Sequence, residues 1–162
     1  MALKSDRHEF DTDISFFMNE VATRGGVASI STVGSGAALD QGTALVTYAA
    51  APSGSVPVGI LLNDMVNLDL TRQHINQHKD EVQKGGKVTL LTKGWVVTNM
   101  IEGTNPTAGQ PAYVAHSGNL AASAALIGDD AERSVGTWLS TVDQDGYAKV
   151  SINLPATFRL GS

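Results

Sequence analysis

Residues 133–154, RSVGTWLSTVDQDGYAKVSINL, decide how the chain reads. Two runs rich in Val, Thr, Trp, Leu and Ile, residues 134–142 and 147–154, flank Asp143-Gln144-Asp145-Gly146. Asp145-Gly146 provides the positive-φ residues that a tight hairpin needs. In the second run Ala148, Val150, Ile152 and Leu154 alternate with Tyr147, Lys149, Ser151 and Asn153. A period of two places the first set on one face and the second on the other, so one face is buried and one is wet.

The same grammar extends outward. From residue 85 onward, short β-branched and aromatic runs are cut by Gly, Pro, Asn and Asp at close intervals, the pattern of short strands joined by turns. Strands are expected at 87–91 and 94–100, as a tight hairpin carrying Trp95, and at 112–116, 134–142 and 147–154. Earlier in the chain VASISTV (27–33), residues 43–48 and VPVGILL (56–62) read as three more. Pro57 suits a strand start or an edge. A Gly-started strand followed by a Val-Gly-x-Leu-like strand occurs twice, with Gly59 and Gly136 at matching places. Glycine inside a strand marks a bend or a close backbone approach.

Residues 63–83 break the pattern. The segment NDMVNLDLTRQHINQHKDEVQ is polar and fits neither period, and it is expected to be a long excursion, partly helical over 70–83. Residues 1–25 read as an N-terminal arm: a polar tail, the apolar cluster Ile14-Ser15-Phe16-Phe17-Met18, and a Gly25-Gly26 pair. The cluster either packs on the domain's own core or docks on a neighbour, and Phe16, Phe17 and Met18, with Trp95, are the candidate protein-interface residues. The domain proper is expected at 26–154, with a tail at 155–162. The fold class is mainly β: a small antiparallel β-barrel or sandwich with an extended arm and one partly helical excursion.

The 162 residues suit one domain with a core of useful size. A net charge of −5, with Lys and Arg scattered, argues against a nucleic-acid binder. No cysteine is present, so disulfides and thiolate zinc sites are excluded. No run is long enough to span a bilayer and no signal peptide is seen, so no membrane partner is expected and the product is expected to stay in the cytoplasm where it is made.

Catalytic signals are thin. His74-x3-His78 would share a helix face, with Asp69 or Asp80 as a further ligand, but the glutamate of an HExxH motif is missing and a structural or incidental role outweighs a metal. His116 reads as a solvated turn residue. No GxSxG elbow or phosphate loop exists. No catalytic residue, cofactor or metal is expected. Trp95, Trp138 and Tyr113 could form a carbohydrate or small-ligand platform if exposed over a concave face.

The segments DISFFMNEVATRGGV (13–27), VGILLNDMVNLDLTRQHINQHKDEVQKGGKVTLLTKGWVVTNM (58–100), AGQPAYV (108–114) and VGTWLSTVDQDGYAKVSINL (135–154) together give a chain that resembles the head decoration, or capsid cement, proteins of tailed bacteriophages. The resemblance implies a β-rich barrel or sandwich on the outer capsid surface. It further implies a homotrimer or other cluster bridging neighbouring major capsid protein subunits, in the virion and, during assembly, in the host cytoplasm. It brings no catalytic residues. Another phage structural part, such as a tail-tube, head-completion or fibre-base protein, is the nearest alternative, followed by a ligand-binding β-domain and then a hydrolase or metalloenzyme on His74, His78 and Asp69.

Overall fold

The structure is a computed structural model, and it describes residues 2–31, 44–64, 68–69, 74–75, 81–123 and 133–158. Its strands, in chain order, are β1 (His8–Asp13), β2 (Phe17–Met18), β3 (Ala22–Thr23), β4 (Val27–Ile30), β5 (Leu45–Thr47), β6 (Pro57–Asp64), β7 (Leu68–Asp69), β8 (His74–Ile75) and β9 (Glu81–Val82). There follow β10 (Val88–Thr98), β11 (Ile101–Glu102), β12 (Pro111–Val114), a 3-10 turn at His116–Gly118, β13 (Leu120–Ala121), β14 (Arg133–Trp138) and β15 (Ala148–Phe158). Eleven strands form one sheet in the order β11-β13-β12-β14-β15-β10-β6-β4-β5-β2, with β1 added on β10. Among the described residues its two ends do not pair with each other, so the sheet is not closed and the expected barrel is corrected.

β10 is the spine. Its first half pairs with β6, from Val88 opposite Asp64 to Leu91 opposite Ile60. Its second half pairs with β15, from Lys93 opposite Asn153 to Thr98 opposite Ala148. Because β1 pairs with β10 across residues 90–95 and overlaps both, β6 and β15 share one edge of the spine and β1 takes the other. The sheet therefore forks into a β6 limb and a β15 limb. The main core lies between the limbs: Val27, Ile60 and Leu62 from one, and Val114, Val135, Trp138, Val150 and Ile152 from the other. A second core lies on the far side of the β6 limb, built from Met18, Ala22, Ala28, Val46, Leu61, Val82, Val88 and Leu90. Ile60, Leu61 and Leu62 alternate between the two cores, which is why β6 is an unbroken apolar run.

The final hairpin forms with a shorter first strand than expected, since β14 ends at Trp138, and of Asp145-Gly146 only Gly146 takes a positive φ. Gly146 has φ 85°, and its N–H donates to the Asp143 carbonyl at 3.1 Å. The Asp143 carboxylate accepts from the N–H groups of Asp145 and Tyr147, each at 2.9 Å. These backbone donors, with the Lys4 ammonium at 3.2 Å, hold the carboxyl below the usual carboxylate range. In β15, Ala148, Val150, Ile152 and Leu154 are all buried. Gly59 and Gly136 are both sites of close approach: a Cβ on Gly59 would meet the Leu90 side chain at 2.7 Å, and one on Gly136 would meet the Ser151 carbonyl oxygen at 1.7 Å.

Two further expectations are corrected. Residues 92–93 form no turn, because β10 runs unbroken from Val88 to Thr98 and the residues around Gly94 adapt to a neighbouring strand. Within the excursion, Leu68–Asp69 and His74–Ile75 form the antiparallel pair β7–β8, and Glu81–Val82 pairs with Ala22–Thr23, so strand stands where helix was expected. The rest of 65–80, including His78 and Asp80, lies outside the described residues.

The segment expected as an arm is woven through the sheet. Leu3 is buried in the main core, and the Lys4 N–H donates to the Val97 carbonyl at 2.9 Å. Phe17–Met18 pairs in parallel with Leu45–Val46, and Met18 exchanges hydrogen bonds with Gly85 and Gly86. Gly25-Gly26 is a packed crossing. A Cβ on Gly26 would lie 2.8 Å from the Gly118 carbonyl oxygen and 2.9 Å from the Tyr48 ring. The Tyr48 hydroxyl donates to the Thr23 carbonyl and accepts from the Gly26 N–H at 3.0 Å. Burial pushes this phenol above its ordinary range. Tyr48→Phe leaves the Gly26 donor without that acceptor and is expected to cost about 1–3 kcal/mol, measured as a lower urea midpoint at unchanged m-value.

Candidate interaction surface

Most apolar side chains of the sheet are claimed by its two larger cores and a small cluster of Tyr113, Ala115 and Ala121, so those left in solvent stand out. Phe10 is 75% exposed and Ile14 is 46% exposed; Phe10 lies in β1 and Ile14 directly follows it. β1 reads HEFDTD and is exposed along almost its whole length, which explains why no amphipathic period announces it. Its register on β10 is irregular on both sides of Asp11: Glu9 is opposite Gly94, Asp11 opposite Lys93 and Thr12 opposite Leu91. Phe10 falls in the first irregularity, a bulge that turns its ring outward.

Gly94 makes this docking possible. Its φ is 143°, and a Cβ there would lie 2.0 Å from the His8 carbonyl oxygen. Gly94→Ala is expected to push β1 off the spine while both cores persist, at a cost of about 1–3 kcal/mol. Amide exchange would then quicken over residues 8–13 and stay slow over 148–152.

Trp95 sits next to this strand with one flank toward solvent. His8 stacks on it at 6.4 Å between ring centroids, and the Lys149 ammonium lies 3.5 Å from the ring centroid. The indole face thus has partners within the chain. Trp138 is fully buried and Tyr113 nearly so, so the three aromatics do not form the exposed platform a ligand-binding domain would use. Phe16 packs against the second core, Met18 lies wholly within it, and Phe17 is half-buried with the Lys87 ammonium 5.9 Å from its ring.

Asp69 and His74 are register partners in β7–β8. Among the described residues no group of three or more His, Cys, Asp or Glu is placed to hold a metal ion. His116, at the 3-10 turn, pairs through Nδ1 with Glu102 at 2.9 Å, and its N–H donates to the same carboxylate. That bond fastens the Glu102 strand end to the turn where sequence reading placed a solvated histidine. No described helix is long and apolar enough to cross a membrane.

Residues 11–153 match the family model described as "Structural cement protein (E217 gp24/Pam3 gp6)". The chain belongs to the phage structural cement family. The match begins inside β1 and ends inside β15, so it spans both limbs of the sheet and both cores. The family is a structural one and not an enzyme family, and it associates the chain with capsid proteins and the virion capsid. No curated protein matches the chain.

Proposed function

We propose that the protein binds the outer surface of the expanded capsid and cements neighbouring major capsid protein subunits. The observation that carries this reading is the family match across residues 11–153. A sheet whose two limbs enclose the main core, with a second core on the far side of one limb, is a packed unit that could span a seam. Each contact can be weak, because repetition over a symmetric shell multiplies it. Phe17 and Trp95, both partly exposed, are proposed contacts, while Phe16 and Met18 pack in and against the second core.

The proposed unit on the shell is a trimer. Ile30 and Val56, both exposed and joined by the Ile30 N–H donating to the Val56 carbonyl at 2.9 Å, form a small apolar spot that a neighbouring copy could cover. Heating expanded shells with and without added protein tests the cementing role. The decorated shells are expected to release DNA or lose their scattering at a higher temperature. Identical curves at saturating protein would refute it.

A further inference from the structure

The outer edge of β1 is the strongest unassigned feature. Among the described residues no strand pairs with β1 other than β10, and β1 is exposed along almost its whole length, so the backbone N–H and C=O groups along its far side have no described strand partner. Such an edge is a template for a further strand. Natural proteins guard edges with charge and with bulges, and β1 has both. Guarding alone does not account for Phe10, a large apolar ring turned into water at the bulge.

The charge on the strand selects the occupant. Glu9, Asp11 and Asp13 lie within six residues, and Asp6 precedes them. Arg7 engages Glu9 at 2.6 Å. Asp13 accepts from the Ser15 N–H at 2.7 Å and from its hydroxyl. Lys93 is the register partner of Asp11 on the inner side. Pairing β1 with its own copy would gather two sets of these carboxylates into one ribbon, and like charges across strands destabilise. An incoming strand bearing Lys or Arg meets the opposite situation, within a chain whose net charge is −5.

We propose that the β1 edge is a strand-addition site for an extended, lysine- or arginine-bearing segment of another protein, with Phe10 packing on an apolar side chain of that segment. The identity of that protein as the shell subunit rests on the cement reading; the chemistry of the edge does not. The partner's main chain completes the ladder, and Glu9 and Asp11 select its charge.

The test has two arms. In the first, an acetylated peptide of alternating Val and Lys is titrated into the full chain while backbone amide resonances are followed, with a Val/Glu peptide as control. Saturable shifts over residues 8–13 are expected for the Lys peptide only, reduced tenfold or more in affinity by Glu9→Lys with Asp11→Lys, and weakened by Phe10→Ala and by added salt. Absent shifts, equal response to both peptides, or indifference to the charge reversal overturns the proposal. In the second arm, wild type and the same variants are bound to expanded capsids. Wild type binding with the β1 variants reduced tenfold or more assigns the edge to the shell contact. Equal binding by all variants removes the edge from the shell contact while the cement reading stands. Peptide binding at β1 with no capsid binding by wild type leaves the edge and removes the cement reading.

Discussion

Removal of residues 1–24 is expected to unfold the protein, not to trim it. The deletion takes away β1, β2 and β3, and with them three residues buried in the cores: Leu3, Met18 and Ala22. Met18 alone is fully enclosed among Val46, Leu61, Val82, Val88 and Leu90, and emptying such a site by Met18→Ala costs about 2–5 kcal/mol. The deletion also frees the edge of β5 and uncovers Val82, since β2 pairs with one and β3 with the strand of the other. The sum approaches or exceeds the whole stability of an ordinary domain, about 5–15 kcal/mol. Near-UV circular dichroism of the truncated chain should show no fixed aromatic environment. A truncated chain that melts cooperatively near the wild-type temperature would mean that the segment is peripheral after all.

Trp138→Ala is expected to cost about 3–5 kcal/mol. Trp138 is among the largest fully buried side chains and stands on β14, where the β15 limb faces the main core. Its indole Nε1 has no hydrogen-bond partner among the described residues. The loss on truncation is therefore a cavity and transfer effect, with no polar bond to replace. Trp138→Phe keeps most of the apolar volume and removes the unpaired N–H, so it should cost clearly less than the alanine change. Equilibrium urea unfolding of both variants checks the order. A Phe variant as damaged as the Ala variant would show that the N–H is bonded in solution.

The parts of this fold that were legible in the sequence are those with one wet face. β15 is legible because Ala148, Val150, Ile152 and Leu154 alternate with polar residues, and its turn because Gly146, of the expected Asp145-Gly146 pair, takes a positive φ; the Asp143 carboxylate that accepts from the Tyr147 N–H is no part of that signal. Gly59 and Gly136 were readable as close approaches because glycine in a strand has few other uses. The spine was misread as a hairpin. Thr92-Lys93-Gly94 has turn composition, while the need for Gly94 comes from a carbonyl 86 residues earlier in the chain, at His8. Phe16-Phe17-Met18 shows the limit of local reading. An apolar cluster near a terminus looks the same whether its groove belongs to its own chain or to a neighbour's, and here the groove belongs to β5 and β9's surroundings. β1 gave no signal, because a strand exposed on both faces has no hydrophobic period. The proposed contact edge is correspondingly hidden: Phe10 is conspicuous only once the cores are known to leave it out.

The cement role is tested most directly by counting copies on the shell. Purified protein is added in excess to expanded, undecorated capsids, unbound protein is removed, and symmetric reconstructions are computed from electron micrographs. The proposed function predicts saturable density on the outer surface at symmetry-related sites throughout the shell, each copy touching more than one major capsid protein subunit. A bare shell at saturating concentration, or density confined to a single vertex, would contradict it.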